Sequence, residues 1–86
     1  MILNISKKTL DGMKIGTVQT KLLSALANNY CNSREELARF VYNDELNNYV
    51  RQCMCKVINR LRKRGLHIER ISTIGFRLIE TIYIDY

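Results

Sequence analysis

Apolar and polar residues change rhythm several times along this chain. Leu3-Asn4-Ile5-Ser6 alternates, as a strand with one buried face does. Leu10-Asp11-Gly12-Met13 follows with Asp-Gly, a pair suited to the positive φ angles of a tight hairpin turn, and Met13-Lys14-Ile15 is the return strand. From Thr17 the period becomes helical. Val18, Leu22, Leu23, Leu26 and Ala27 share a face, Thr17 is placed as the cap, and Asn28-Asn29 ends the segment. Ser33-Arg34-Glu35-Glu36 reads as a capping box for a second helix, with Leu37, Phe40 and Val41 inward and Asn43-Asp44 as its stop.

A third and longest helix is predicted over about 46–64. Val50, Met54, Val57, Ile58 and Leu61 fall within an arc of about 100° and face the core. The opposite arc holds Asn48, Gln52, Cys55, Lys56, Asn59, Arg62 and Lys63. It has no Glu, so it lacks the alternating-sign pairs that a merely solvated helix often uses. Gly65 is suited to a left-handed end cap. Beyond it, Leu66, Ile68 and Ile71 precede Ser72-Thr73-Ile74-Gly75, and Phe76, Leu78 and Ile79 follow. This pattern predicts a hairpin over 66–79, with Gly75 supplying the unusual backbone angle. Thr81-Ile82-Tyr83-Ile84 alternates too, and either lengthens the return strand or adds an edge to a sheet.

The expected fold class is α+β: a small N-terminal antiparallel sheet, three helices and a C-terminal β-hairpin. The chain has 86 residues, no proline, no repeat and no linker-like run, so one domain over 1–86 is expected. Three helices followed by a hairpin is the winged helix-turn-helix arrangement. A helix there fits the DNA major groove, and the hairpin, or wing, reaches phosphates or the minor groove.

Charge sharpens this picture. The formal net charge is +6. Residues 51–79 hold eight Lys/Arg against Glu69 alone, a net of +7, so one end of the chain is electropositive, as expected of a protein that sits on phosphates. The longest apolar runs are a few residues, far below the ~20 of a membrane span, and MILNISKK is not a secretory signal. The three cysteines, Cys31, Cys53 and Cys55, make no disulfide framework, and Cys53-x-Cys55 lacks metal-ligand spacing. They are expected as buried or half-buried small hydrophobes in a reducing cytoplasm. With His67 the single histidine and no Gly-rich phosphate loop, no metal, cofactor or small-molecule substrate is expected, nor catalysis.

Several stretches resemble the DNA-binding (effector) domain of OmpR/PhoB-type response regulators. Ile68-Glu69-Arg70-Ile71-Ser72-Thr73-Ile74-Gly75-Phe76-Arg77-Leu78 resembles that family's wing, I-E-T-V-R-G-x-G-Y-R-L. Ile58-Asn59-Arg60-Leu61-Arg62-Lys63 is similar to the I-R-R-L-R-K that ends its recognition helix, and Ser33-Arg34-Glu35-Glu36-Leu37 to the S-R-E-E-L of its second helix. Asp11-Gly12 through Thr17 resembles the strand turn leading into its first helix, and the likeness spans about residues 3 to 79. The family has Arg where this chain has Ser72, Gly where it has Thr73, and Arg where it has Gln52, so its minor-groove role passes to Arg70 or Arg77 or is dropped, and its base preference does not carry over. No receiver domain precedes residue 1, so a stand-alone module without a sensor-kinase response is expected.

The implied function is sequence-specific binding of double-stranded DNA, by a small transcription regulator or an accessory factor of a phage, plasmid or other mobile element. Homodimers or tandem copies on repeated half-sites are expected, because one module makes few contacts. Gln52, Lys56, Asn59 and Lys63 are assigned to base edges. Arg60, Arg62, Arg64, Arg70, Ser72, Thr73 and Arg77 are assigned to phosphate or the wing, some of these cations serving instead as partners of Glu69 and Glu80. The helix starts at Thr17 and Ser33 add amide N–H groups as phosphate donors. The alternative is an interaction module of the same fold that grips a protein partner, such as RNA polymerase, through its wing or terminal strands.

Overall fold

Local signals decide where each helix starts and stops. In the computed structural model, which describes residues 1–28, 33–72 and 74–86, α1 runs over Thr17–Ala27, α2 over Arg34–Tyr42 and α3 over Asn48–Lys63. α2 opens as expected. The Glu36 N–H donates to the Ser33 hydroxyl oxygen at 3.1 Å, and that hydroxyl donates to the Glu36 carboxylate at 2.9 Å. Asn43 closes it in the left-handed region, φ 52°.

α3 is shorter than the expected 46–64, because Asn47 caps it: its side-chain oxygen accepts the Val50 N–H at 2.9 Å. At the other end Gly65 takes φ 98°. Its N–H reaches the Arg62 carbonyl at 3.0 Å and the Leu66 N–H reaches the Leu61 carbonyl at 3.3 Å. This is a Schellman closure, with Leu66 and Leu61 both buried beside it.

α1 departs from expectation. Gly16, at φ 86°, is the cap, and Thr17 is the first helical residue with no side-chain cap bond. The Gly16 carbonyl instead accepts both the N–H and the hydroxyl of Thr20, at 3.1 and 2.6 Å. That left-handed angle is far easier for glycine than for threonine, which explains the shift of one residue.

The N-terminal strands are β1 (Ile2–Asn4), β2 (Thr9–Leu10) and β3 (Met13–Lys14), the last two joined by Asp11 at φ 49° and Gly12 at φ 84°. β4 (Ile68–Ile71) and β5 (Gly75–Leu78) form the C-terminal hairpin. β6 (Tyr83–Asp85) pairs with β1 in parallel, giving a four-stranded sheet of order β3-β2-β1-β6. The sheet is therefore mixed, where an antiparallel one was expected. Of the two placements open to the last alternating segment, the sheet edge is the one adopted.

Gly75 is not the turn residue. The left-handed angle falls on Ser72, φ 48°, while Gly75 is a buried strand residue opposite Ile71. It also bridges to Ser33, and the Arg34 N–H donates to the Ile74 carbonyl at 3.0 Å. A residue without a side chain lets the backbone ahead of α2 approach the hairpin.

The core gathers around α1, which packs against α2, α3, β1 and β5. Leu3, Leu22, Leu23, Leu37 and Leu61 are wholly buried, and all five inward residues expected on α3 are buried. Val18 and Phe40 are exceptions, exposed at 37% and 46%; Ala25 and Ala38, fully buried, occupy the inward sides of their helices. Cys53 is half-buried as expected, but Cys55 is exposed, because a step of two residues carries it round to the polar flank of α3. Asn29 and Cys31 lie outside the described residues. Among the described residues no helix is long and apolar enough to cross a membrane.

Candidate nucleic-acid interface

The outward side of α3 is built by the same spacing that builds the core. With Val50, Met54, Val57, Ile58 and Leu61 inward, the 3.6-residue repeat turns Gln52, Lys56, Asn59 and Lys63 directly away, and all four are exposed. Among the described residues, the side chains of Gln52, Lys56 and Lys63 form no hydrogen bond or ion pair. No acidic residue occurs anywhere in Asn48–Lys63.

Arginines flank this stripe on both sides. By helical spacing Arg60 and Arg64 lie along one flank, exposed, and Arg51 and Arg62 along the other. The Arg62 guanidinium ties α3 to the first strand of the hairpin. Its Nε and Nη2 donate to the Ile68 carbonyl at 3.1 and 2.8 Å, and its Nη1 to Asn59 Oδ1 at 3.4 Å. Three of its five N–H groups are thus committed, and two remain for another acceptor.

On that flank α3, α2 and the hairpin enclose a cleft of about 440 Å³. Arg51, Cys55, Asn59 and Arg62 form its α3 wall, Arg34 and Glu35 its α2 wall, and Arg70 its hairpin wall. Leu46, Ile58 and Phe76 line it with apolar surface. The Arg34 guanidinium lies over the Phe76 ring, 5.1 Å from its centroid, a cation–π contact. Arg34 and Arg51 were not among the sequence candidates, since nothing local in the sequence reports that α2 and α3 face one hairpin.

The two hairpin arginines part company. Arg70 pairs across the ladder with Phe76 and faces the cleft; Glu69 pairs with Arg77 on the other face. Arg70 Nε donates to the Ser72 carbonyl at 3.1 Å, bracing the turn. Arg77 lies 3.3 Å from Glu69 in an ion pair with both side chains about half exposed. The two arginines expected to serve the hairpin together thus lie on opposite faces of it. Glu80 accepts the His67 backbone N–H at 3.1 Å rather than a cation. Ser72 is exposed at the turn, and Thr73 lies outside the described residues.

The two helix starts also differ. At Ser33 the Arg34 and Glu36 amides are taken by Ile74 and by Ser33 itself, and Glu35 and Glu36 place negative charge in the first turn. Two amides already bonded and two carboxylates in the first turn make this end a poorer anion site than the other. At Thr17 the first turn has no acid and no side-chain cap, so its amides remain suited to an anion. Behind α3, burial pushes the Tyr42 phenol above its ordinary range, helped by the neighbouring Cys53, Cys55 and Tyr49.

No protein-family model matches this chain, and searches of curated proteins and of solved structures find no similar sequence or fold.

Proposed function

We propose that this chain is a winged-helix protein that binds double-stranded DNA in a sequence-specific way, as a small transcription regulator or a mobile-element accessory factor. One observation carries the reading: α3 presents an outward stripe of amides and lysines bordered on both sides by arginines. A helix about 10–12 Å across fills a major groove about 12 Å wide, so its outermost residues meet base edges and its flanks meet the two phosphate walls. Gln52 and Asn59 suit adenine, Lys56 and Lys63 suit guanine, and Arg51, Arg60 and Arg64 are placed to act on phosphates. The hairpin, held to α3 through Arg62 and Ile68, is the wing, with Arg70 on its helix-facing side. The resemblance to OmpR/PhoB-type effector domains supports the same assignment.

Mobility shift on DNA fragments at two salt concentrations tests it. Six phosphate contacts predict an affinity loss of ~10³-fold between 50 and 200 mM salt. Asn59→Ala should change which sequences a randomised-DNA selection recovers, while the circular dichroism spectrum stays that of the parent protein. An unchanged site preference would count against base reading by α3.

A second reading is favoured by the terminal strands. Ile2 and Tyr83 are neighbours across the β1–β6 ladder and are exposed at 54% and 69%. An interaction module would use that apolar sheet surface to hold a protein partner, and weak DNA binding with no salt dependence would favour it.

A further inference from the structure

A duplex lying along the outward stripe of α3 shares only the rim residues Arg51 and Asn59 with the cleft beside it, and has no use for the apolar lining of Leu46, Ile58 and Phe76. That cleft brings four guanidinium groups, Arg34, Arg51, Arg62 and Arg70, around one carboxylate, Glu35. Two of the four are already braced by backbone carbonyls, Arg62 on Ile68 and Arg70 on Ser72, and each retains N–H groups to donate. Bracing removes much of the ordering cost that a flexible arginine would meet on binding. Like charges held together in a concavity favour a counter-anion, and the planar fork of arginine matches phosphate oxygens two at a time. The cleft is also partly apolar, and its volume of about 440 Å³ lies within the range of small-molecule sites. A bare phosphate would leave most of that space unfilled.

We propose that this cleft binds a small phosphorylated organic molecule, with its phosphate between Arg51 and Arg70 and its apolar body against Leu46, Ile58 and Phe76. The proposal goes beyond DNA binding and does not depend on it. Where both hold, the occupied cleft neutralises cations beside the stripe and weakens the hold on a duplex, so the ligand acts as an effector.

The test is heteronuclear NMR on the intact chain, following arginine Nε–H and backbone amide signals. The probes are phenyl phosphate, inorganic phosphate and a short duplex of arbitrary sequence. Phenyl phosphate should shift Arg51, Arg70 and the amides around Phe76 together, and should bind about tenfold more tightly than inorganic phosphate because its ring is buried. Arg51→Gln should weaken it about tenfold or more, whereas Arg77→Gln, on the far face of the hairpin, should leave it unchanged. Matching circular dichroism spectra and melting curves establish that both variants fold. Shifts spread evenly over exposed cations such as Lys14 and Arg64, or an Arg51→Gln protein that binds like its parent, would overturn the proposal. If the duplex moves the Arg51 and Arg70 signals and phenyl phosphate does not, the cleft is part of the DNA surface and the small-molecule assignment fails while DNA binding stands. If phenyl phosphate binds and no duplex does, the reverse holds.

Discussion

The two faces of the C-terminal hairpin share eight strand residues yet differ in almost every respect. On one face Ile68, Arg70, Phe76 and Leu78 look toward the helices, with β5 against α1, and Ile68 and Phe76 are nearly lost to solvent. On the other, Glu69 and Arg77 meet in water as a half-exposed ion pair. Phe76 contributes buried area and a ring for Arg34, and the Ile68 carbonyl anchors Arg62. The inner face thus joins hairpin to helix. The outer face contributes solubility and little binding energy, since exposed pairs are worth about 0–1 kcal/mol.

Substitutions graded by face can break that contrast. Phe76→Ala empties the inner face and should destabilise the protein by about 3–5 kcal/mol, read as a large fall in thermal midpoint. Arg62→Gln removes the charged donor from the Ile68 carbonyl and should cost about 1–2 kcal/mol; denaturant titration measures it, and a cost near zero would mean that the hairpin is held by packing alone. Glu69→Gln touches only the outer face and should change stability by less than about 0.5 kcal/mol. An effect as large as that of Arg62→Gln would erase the distinction between the faces.

How much of this was visible beforehand follows the range of the interactions. The Asp11-Gly12 turn, the Ser33–Glu36 box, the Gly65 closure and the buried seam of α3 each depend on residues within a few positions, and the sequence pattern located them all. The Gly16 cap was missed because Thr17 next to it carries the stronger cap signature. Gly75 has the look of turn punctuation, whereas it is a buried strand residue bridged to Ser33 far away in the chain. Phe40 and Val18 misled because periodicity identifies a face only to within one residue's rotation. The outward residues of α3 were legible as an arc. The cleft was not, since Arg34, Arg51 and Arg70 come from three elements whose meeting no local pattern encodes. The parallel partnership of β1 and β6 left no signal either: neither strand has a turn that points to the other.

That partnership sets an order of events. Asn4 and Asp85 sit side by side though 81 positions separate them. As the chain emerges during synthesis, β1 can gather β2 and β3 at once, but its second edge stays bare until β6 has been made. Closing so long a loop is slow compared with forming the helices. The β1–β6 pairing is therefore the contact that needs the longest stretch of chain, whereas the helices and the ribbon close over short spans. A nascent chain halted shortly before residue 83 would leave the second edge of β1 bare, open to pairing with another copy.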